Sequence, residues 1–229
     1  MFEVKVLETL FVTPETKSLR LTKPENYNYV SGQFCLVFLD NVSKPFTFTS
    51  SPTSSYLELT VKNIGFFTGK LFQLKLGDKF FISEPKGEAL SFVENNKNNL
   101  ALVAGGSGIT PLMSIIRFIK VKNLENKIVL FYSNRTEKDI AFKKELLDFS
   151  KTNSNFKVVF LLTREEKPGF EKGYLSKELI FKHLAMPKDF EWFVCGTPKM
   201  VSETKQLLSN HEVSTEKIRV EPWQIEGKK

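Results

Sequence analysis

Three glycines and a proline stand in the stretch LVAGGSGITPLMSII (102–116), between one apolar run and the next. Glycine has no Cβ, so such a turn lets the backbone approach something that a side chain would hold off. Gly105-Gly106-Ser107-Gly108 follows a strand-like run. Thr110 is then placed to cap a helix, and Pro111 to occupy its first position, where a missing N–H costs nothing. A strand, a glycine turn and a helix N-terminus together offer free N–H groups and a positive dipole end to a phosphate. Proline stands where the usual dinucleotide fingerprint has its third glycine, so the residues alone read equally well as a plain tight turn.

Two other stretches carry side chains with chemical potential. KPFTFTSSP (44–52) offers a cation, an aromatic ring and hydroxyls at alternate positions, and VCGTPKM (194–200) ends an apolar run on a cysteine and a glycine. A lone cysteine at a strand end is most often a small apolar residue. Cys35 and Cys195 lie far apart with no CxxC motif, which excludes a structural zinc site or a cysteine-held iron–sulfur cluster built by this chain alone, and no metal site is expected. His183 and His211 fall on helical stretches without a partner motif and read as structural.

The elements around these motifs divide the chain in two. YLELTVK (56–62) alternates strictly, FCLVFL (34–39) is a buried-type run, and KFFI (79–82) follows a Gly77-Asp78 turn. The N-terminus, MFEVKVLETLF, also alternates and reads as a strand rather than a signal peptide. Short strands separated by Pro, Gly and Asn clusters predict an antiparallel β-barrel or sandwich. FVENNKNNL (92–100), with four asparagines, breaks the pattern and sets a boundary between domains 1–95 and 96–229. Beyond it, LALVA (100–104), IVLFY (128–132), KVVFLL (157–162) and EWFVC (191–195) alternate with helical stretches near 111–121, 137–150, 176–184 and 198–210. That order specifies an α/β domain with a mostly parallel sheet, whose ligands bind beyond the carboxyl ends of the strands.

Hydrophobic residues make up 41% of the chain and charged ones 26%, as in ordinary globular proteins, and no apolar run approaches the roughly 20 residues of a membrane span. The cysteine usage fits a cytoplasmic setting. Net charge is +7, with +1 in residues 1–97 and +6 in residues 98–229. A basic half can meet an acidic protein, a phosphorylated ligand or nucleic acid, or be simply a solvated lysine-rich surface.

In order and spacing the motifs resemble the ferredoxin–NADP(+) reductase superfamily, from Gly32-Gln33-Phe34 to Glu221-Pro222-Trp223. The resemblance implies an antiparallel β-barrel that binds FAD, followed by an α/β parallel-sheet domain that binds NADP, with NAD possible. It places Lys44, Pro45, Phe46, Thr47, Phe48 and Thr49 at the flavin. Lys44 stands for an arginine on the flavin diphosphate and lacks its bidentate geometry. Phe46 stands for a tyrosine against the isoalloxazine, and Thr47 for a serine whose hydroxyl lies near flavin N5. Gly65, Phe67 and Thr68 match a Gly-x-x-Ser/Thr segment in which the start of a short helix holds the diphosphate. In the second half, Gly106, Gly108, Thr110 and Pro111 match the dinucleotide turn. Cys195 and Gly196 match the Cys-Gly beside the nicotinamide. Thr163-Arg164 matches a Ser-Arg pair that reads a 2′-phosphate, with Arg135 in support and Tyr174 where some relatives carry another arginine. Glu221 would offer a proton route and Trp223 an aromatic cover for the flavin, though six residues, QIEGKK, continue beyond it.

The implied activity is oxidation of NADPH or NADH through FAD, with electrons passed to an acidic carrier protein such as ferredoxin or flavodoxin. Hydride transfer needs nicotinamide C4 and flavin N5 to meet at roughly 3–3.5 Å, so Thr47, Cys195 and Glu221 would act by shaping that contact. A reductase of free flavins or the reductase component of an oxygenase remains open within the same class. A non-enzymatic basic protein that binds nucleotides or nucleic acid is the reading from another class; the reductase reading expects neither nucleic acid nor a membrane span.

Overall fold

The computed structural model describes residues 1–221. It forms two compact units, one of Met1–Asn96 with Thr110–Leu124, the other of Lys97–Ile109 with the chain from Glu125 onward. Among the described residues no helix is long and apolar enough to cross a membrane.

In the first unit, β1 (Phe2–Thr13), β2 (Thr16–Thr22), β3 (Phe34–Leu39), β4 (Val42–Thr47), β5 (Tyr56–Lys62) and β6 (Lys79–Ile82) form an antiparallel sheet in the order β4-β3-β6-β1-β2-β5. A bridge between Phe48, just past β4, and Leu59 on β5 joins the two edges, so the sheet closes on itself as the expected barrel. The period of two decides what fills it. Val4 and Val6, Leu19 and Leu21, Cys35 and Val37, Leu57, Leu59 and Val61, and Phe80 and Ile82 all turn into one buried core. Between β5 and β6 the chain makes one short helix, α1 (Phe66–Gln73).

The second unit holds a six-stranded parallel sheet. Its strands are β7 (Asn99–Gly105), β8 (Ile128–Asn134), β9 (Phe156–Leu162), β10 (Glu171–Lys172), β11 (Phe190–Cys195) and β12 (Ile218–Val220), in the order β10-β9-β8-β7-β11-β12. The helices are α2 (Ile109–Lys122), α3 (Lys143–Thr152), α4 (Lys177–His183) and α5 (Pro198–Ser209); from residue 110 onward the first of these folds with the barrel unit. The four apolar runs read from the sequence are β7, β8, β9 and β11, extended by a residue or two, and the short edge strands β10 and β12 are not among them. The expected helix over 137–150 forms only from Lys143. Thr136 and Asp139 cap a single 3-10 turn, Ile140 and Ala141 are buried, and Phe142 adopts φ +59° with its ring also buried. Burying three consecutive apolar side chains outweighs helical continuity there.

Strand order reverses between β7 and β11, which are neighbours although their connections lead to opposite edges of the sheet. Ligand crevices of parallel sheets open at such a point. The two strand ends meet at Ala104 and Cys195. The glycines are what allow it: a Cβ on Gly108 would lie 2.2 Å from the Cys195 carbonyl oxygen, and one on Gly105 would lie 2.3 Å from Met200 Sδ. Gly108 therefore faces backbone, which cannot swing aside. Gly106 differs, with φ +53° and nothing within 4 Å of where its Cβ would be. Overpacking of a fixed site costs about 1–3 kcal/mol. Gly108→Ala should fall in the upper part of that range by urea unfolding. Gly106→Ala should cost only the left-handed strain, about 1 kcal/mol. Equal losses for the two variants would contradict this packing.

Candidate functional site

The KPFT stretch forms the end of β4. Lys44 is exposed and has no ion pair among the described residues, Pro45 and Phe46 are half-buried, and Thr47 is buried. Phe46 stacks on Phe67 of α1, with ring centroids 6.0 Å apart and planes 18° apart. The Thr47 hydroxyl makes no hydrogen bond among the described residues. The next hydroxyl is spent internally: Thr49 Oγ1 donates to the Glu58 carbonyl (3.1 Å) and lies 3.0 Å from Thr60 Oγ1. Phe48 is fully buried against Tyr27 and Tyr29, so its ring belongs to the barrel core and only its backbone is available to a ligand.

Helix α1 starts at Gly65, which has no side chain to cap it and faces open space. Thr68 closes the turn before the helix instead. Its Oγ1 accepts from the N–H of Ile64 (3.1 Å) and of Gly65 (3.0 Å) and donates to the Gly65 carbonyl (3.0 Å). The threonine hydroxyl is therefore occupied, while the backbone N–H groups of Phe66, Phe67 and Thr68 have no intrahelical partner. A bare, unobstructed helix start of this kind fits a diphosphate. At the other end, the buried Lys17 ammonium donates to the carbonyls of Phe72 (2.8 Å) and Leu74 (2.9 Å), and burial lowers its pKa.

In the second unit the glycine turn differs from its expected form. Gly106–Gly108 is a 3-10 turn that runs straight into α2, so Thr110 lies inside the helix rather than capping it and Pro111 takes its third position. Proline is tolerated there because first-turn N–H groups lack intrahelical acceptors anyway. The hydroxyl of Tyr132, a fully buried residue on β8, donates to the Gly106 carbonyl at 3.2 Å and so holds the turn from beneath. Nothing in the local pattern distinguished that tyrosine from its apolar neighbours. Cys195 is buried at the end of β11, and Gly196 lies under Met200. Gly106, Gly108, Cys195 and Gly196 are thus brought together, and the opening at Gly106 leaves room for a pyrophosphate against the turn.

The ends of β8 and β9 unite the candidate 2′-phosphate residues. The Thr163 N–H donates to the Asn134 carbonyl (2.9 Å) and the Arg164 N–H to the Arg135 carbonyl (2.9 Å). Arg135 and Arg164 are exposed, and neither has an ion pair among the described residues. The acids close by are already committed. Glu165 accepts from the Glu137 N–H (2.8 Å), and Glu137 pairs with Lys143 and Lys167, whose hydrogen bonds hold its carboxyl below the usual range. Beside these ends lies a cavity of about 450 Å³ lined by Ser133, Tyr174, Leu175, Met200, Leu207 and Asn210 among others, with Tyr174 exposed. It is of a size to hold a flat ring system.

Glu221 follows β12. It is buried, its Oε2 has no partner among the described residues, and burial pushes its pKa up to about 7. Trp223, the expected aromatic cover, lies outside the described residues.

Comparison with known proteins agrees with this layout. Residues 1–106 match the family model described as an FAD-binding domain, and residues 102–206 the one described as an oxidoreductase NAD-binding domain. NADH-cytochrome b5 reductase 1 of Candida glabrata is 34% identical over 176 residues, 71% of this chain and 61% of that protein. The Dictyostelium discoideum protein of the same name is 34% identical over 69% of this chain and 57% of its own length. The chain therefore matches little more than half the length of these relatives. A ferredoxin NADP+ reductase from Neisseria gonorrhoeae, solved with FAD and NADP, superposes with a TM-score of 0.82 at 22% identity, covering 96% of this chain and 97% of that one. The FAD/NAD-binding domain of a nitric oxide dioxygenase from Vibrio cholerae gives 0.86 at 17% identity, covering 96% and 97%.

The Glu221 carboxyl yields a pH test. Because its folded pKa is raised, the native state holds its proton where the unfolded chain has lost it, between about pH 4.5 and 7. Its contribution to stability is full below that interval, falls as pH rises through it, and is flat above. Glu221→Gln should remove this component. Urea midpoints of the two proteins should therefore shift relative to each other across the interval. A difference independent of pH would show that the carboxyl titrates normally.

Proposed function

Because the chain belongs to the ferredoxin–NADP reductase superfamily, with an FAD-binding domain and an oxidoreductase NAD-binding domain, we propose that it oxidises NADPH or NADH through FAD and hands the electrons to a separate one-electron carrier. The observation that carries the reading is the glycine turn at the strand-order reversal, where Gly106 alone faces open space and Cys195 and Gly196 end the adjacent strand. Bound FAD would supply the chemistry, accepting a hydride as an electron pair and releasing electrons singly.

What the chain's own residues do follows from their surroundings. The bare start of α1 and the Lys44 cation hold a diphosphate. Thr47 keeps an uncommitted hydroxyl to donate at the flavin ring, and Phe46, braced by Phe67, lies against it. Cys195 and Gly196 limit where a nicotinamide can rest, by size rather than by nucleophilic attack. Glu221, poised near neutrality, can hold or release a proton at its carboxyl. Arg135 and Arg164, without an ion pair among the described residues, offer two cations to the phosphorylated ribose. That favours NADPH, whereas the relatives are named for NADH.

A cytochrome of the b5 type is the carrier we favour over ferredoxin or flavodoxin. Its support is the name of the relatives, and the +6 charge of residues 98–229 is compatible with any acidic protein acceptor. Complementary charge acts chiefly on encounter rate and is screened over about 8 Å at physiological salt.

The test begins with the purified protein, which should release FAD on acid treatment. With NADPH or NADH it should reduce cytochrome b5 faster than ferredoxin or flavodoxin, and added salt should slow that transfer far more than reduction of a neutral quinone. Absence of any flavin would overturn the reading. Matching shallow salt curves would leave a small-molecule acceptor in place of a protein.

Arg164→Ala should raise the KM for NADPH about tenfold or more while leaving NADH nearly unchanged, since a guanidinium can grip a 2′-phosphate through two hydrogen bonds. Equal losses in kcat/KM for both nucleotides would show that Arg164 does not read that phosphate.

A further inference from the structure

The outer face of β5 does not face solvent, as its alternating pattern would suggest. Glu58 and Thr60, on the side of the strand away from the barrel core, are both buried. Helix α2 packs with this unit, and two of its side chains reach the polypeptide just after Thr47. Arg117 donates to the Thr49 carbonyl (2.8 Å) and to Glu58 Oε1 (2.5 Å), and Ser114 Oγ donates to the Ser50 carbonyl (2.7 Å). Arg20 from β2 meets the other oxygen of Glu58 at 3.3 Å.

The same two residues are held from their other sides as well. Thr49 donates its N–H (2.8 Å) and its hydroxyl (3.1 Å) to the Glu58 carbonyl. Ser50 Oγ accepts from the Glu58 N–H (2.9 Å) and lies 2.8 Å from the Tyr29 hydroxyl. Apart from the contacts of Arg20 and Arg117 with the Glu58 carboxylate, each of these interactions holds residue 49 or 50 directly. None involves Thr47.

We propose that Arg117, with Ser114 and Glu58, is a positioning device for the flavin-binding segment: it clamps the backbone at Thr49 and Ser50 so that the free hydroxyl of Thr47 is presented at a fixed place. The inference rests on the reading that the barrel unit holds FAD. A buried carboxylate between guanidiniums is a poor source of net stability, because desolvation offsets much of the attraction. What such an arrangement supplies is a single allowed position, since a displaced carboxylate or guanidinium would be left buried and unpaired. Both bonds leave one terminal nitrogen, Nη1, whose two N–H groups lie at fixed angles in the guanidinium plane, so the carbonyl and the carboxylate are held in a set relation that a freely rotating ammonium does not impose. Arg117 comes from the half of the sequence that carries the dinucleotide motifs, so it supports the flavin segment from outside the flavin motifs.

The test compares wild type with Arg117→Met, Arg117→Lys and Ser114→Ala, each stripped of flavin and titrated with FAD. Affinity is read from flavin fluorescence, and the visible absorption and circular dichroism of bound FAD are recorded at saturation. Arg117→Met should bind FAD about tenfold or more weakly and alter the visible dichroism even when saturated. Arg117→Lys should recover part of both, and Ser114→Ala should show a smaller change of the same kind. A folded Arg117→Met with wild-type affinity and dichroism would overturn the proposal. If Arg117→Met does not fold, Ser114→Ala decides, and unchanged affinity and dichroism in that variant overturn it. FAD binding by wild type keeps the functional reading intact in either case, whereas wild type that binds no FAD removes that reading and the clamp with it.

Discussion

The carbonyl of Cys195 occupies the space where any side chain at position 108 would stand. Much of the second unit follows from that contact. β7 and β11 run side by side in parallel, yet the chain leaves them toward opposite edges of the sheet, so their carboxyl ends must be capped by backbone rather than by bulky residues. Gly108 and Gly196 supply that closeness, and Met200 seals the turn from α5. In this turn Gly108 is spent on the protein's own main chain, and Gly105 and Gly196 on the Met200 side chain. Only Gly106 keeps a free approach, and the Tyr132 hydroxyl fixes its carbonyl so that the open face of the turn stays where it is.

The barrel unit applies the same economy to hydroxyls. Thr68 closes the turn into α1, Thr49 ties β5 to the chain beyond β4, and Ser50 joins Tyr29 and Glu58. Thr47 is the member of this group left without a hydrogen bond among the described residues. A hydroxyl that the fold does not use can bond to a ligand atom without breaking any bond of the protein's own network. The neighbouring hydroxyls of Thr49, Ser50 and Thr68 are already hydrogen-bonded within the fold.

Charge is arranged to similar effect around the ends of β8 and β9. Glu137 is occupied by Lys143 and Lys167, and Glu165 by a backbone N–H, which leaves Arg135 and Arg164 without an acidic partner among the described residues. Net charge alone conveys none of this. Many of the lysines behind the +7 are paired with acids such as Glu3, Asp40 and Asp148, and contribute little beyond solubility.

Sequence by itself determined the two architectures and the location of their motifs. Strict alternation in YLELTVK, apolar runs interleaved with helical stretches, and the glycine and Cys-Gly turns are local signals, because each reports one chain segment meeting a core on one or two faces. The break of the 137–150 helix, the helical placement of Thr110 and the internal use of Phe48, Thr49 and Thr68 depended on which neighbours arrived. Glu58 shows the reason most plainly. Its alternation placed it outside the barrel, correctly, but a helix almost sixty residues later covers that outer face and turns a solvent position into a buried ionic anchor. Periodicity records which side of a strand a residue occupies, and only the tertiary structure decides what lies on that side.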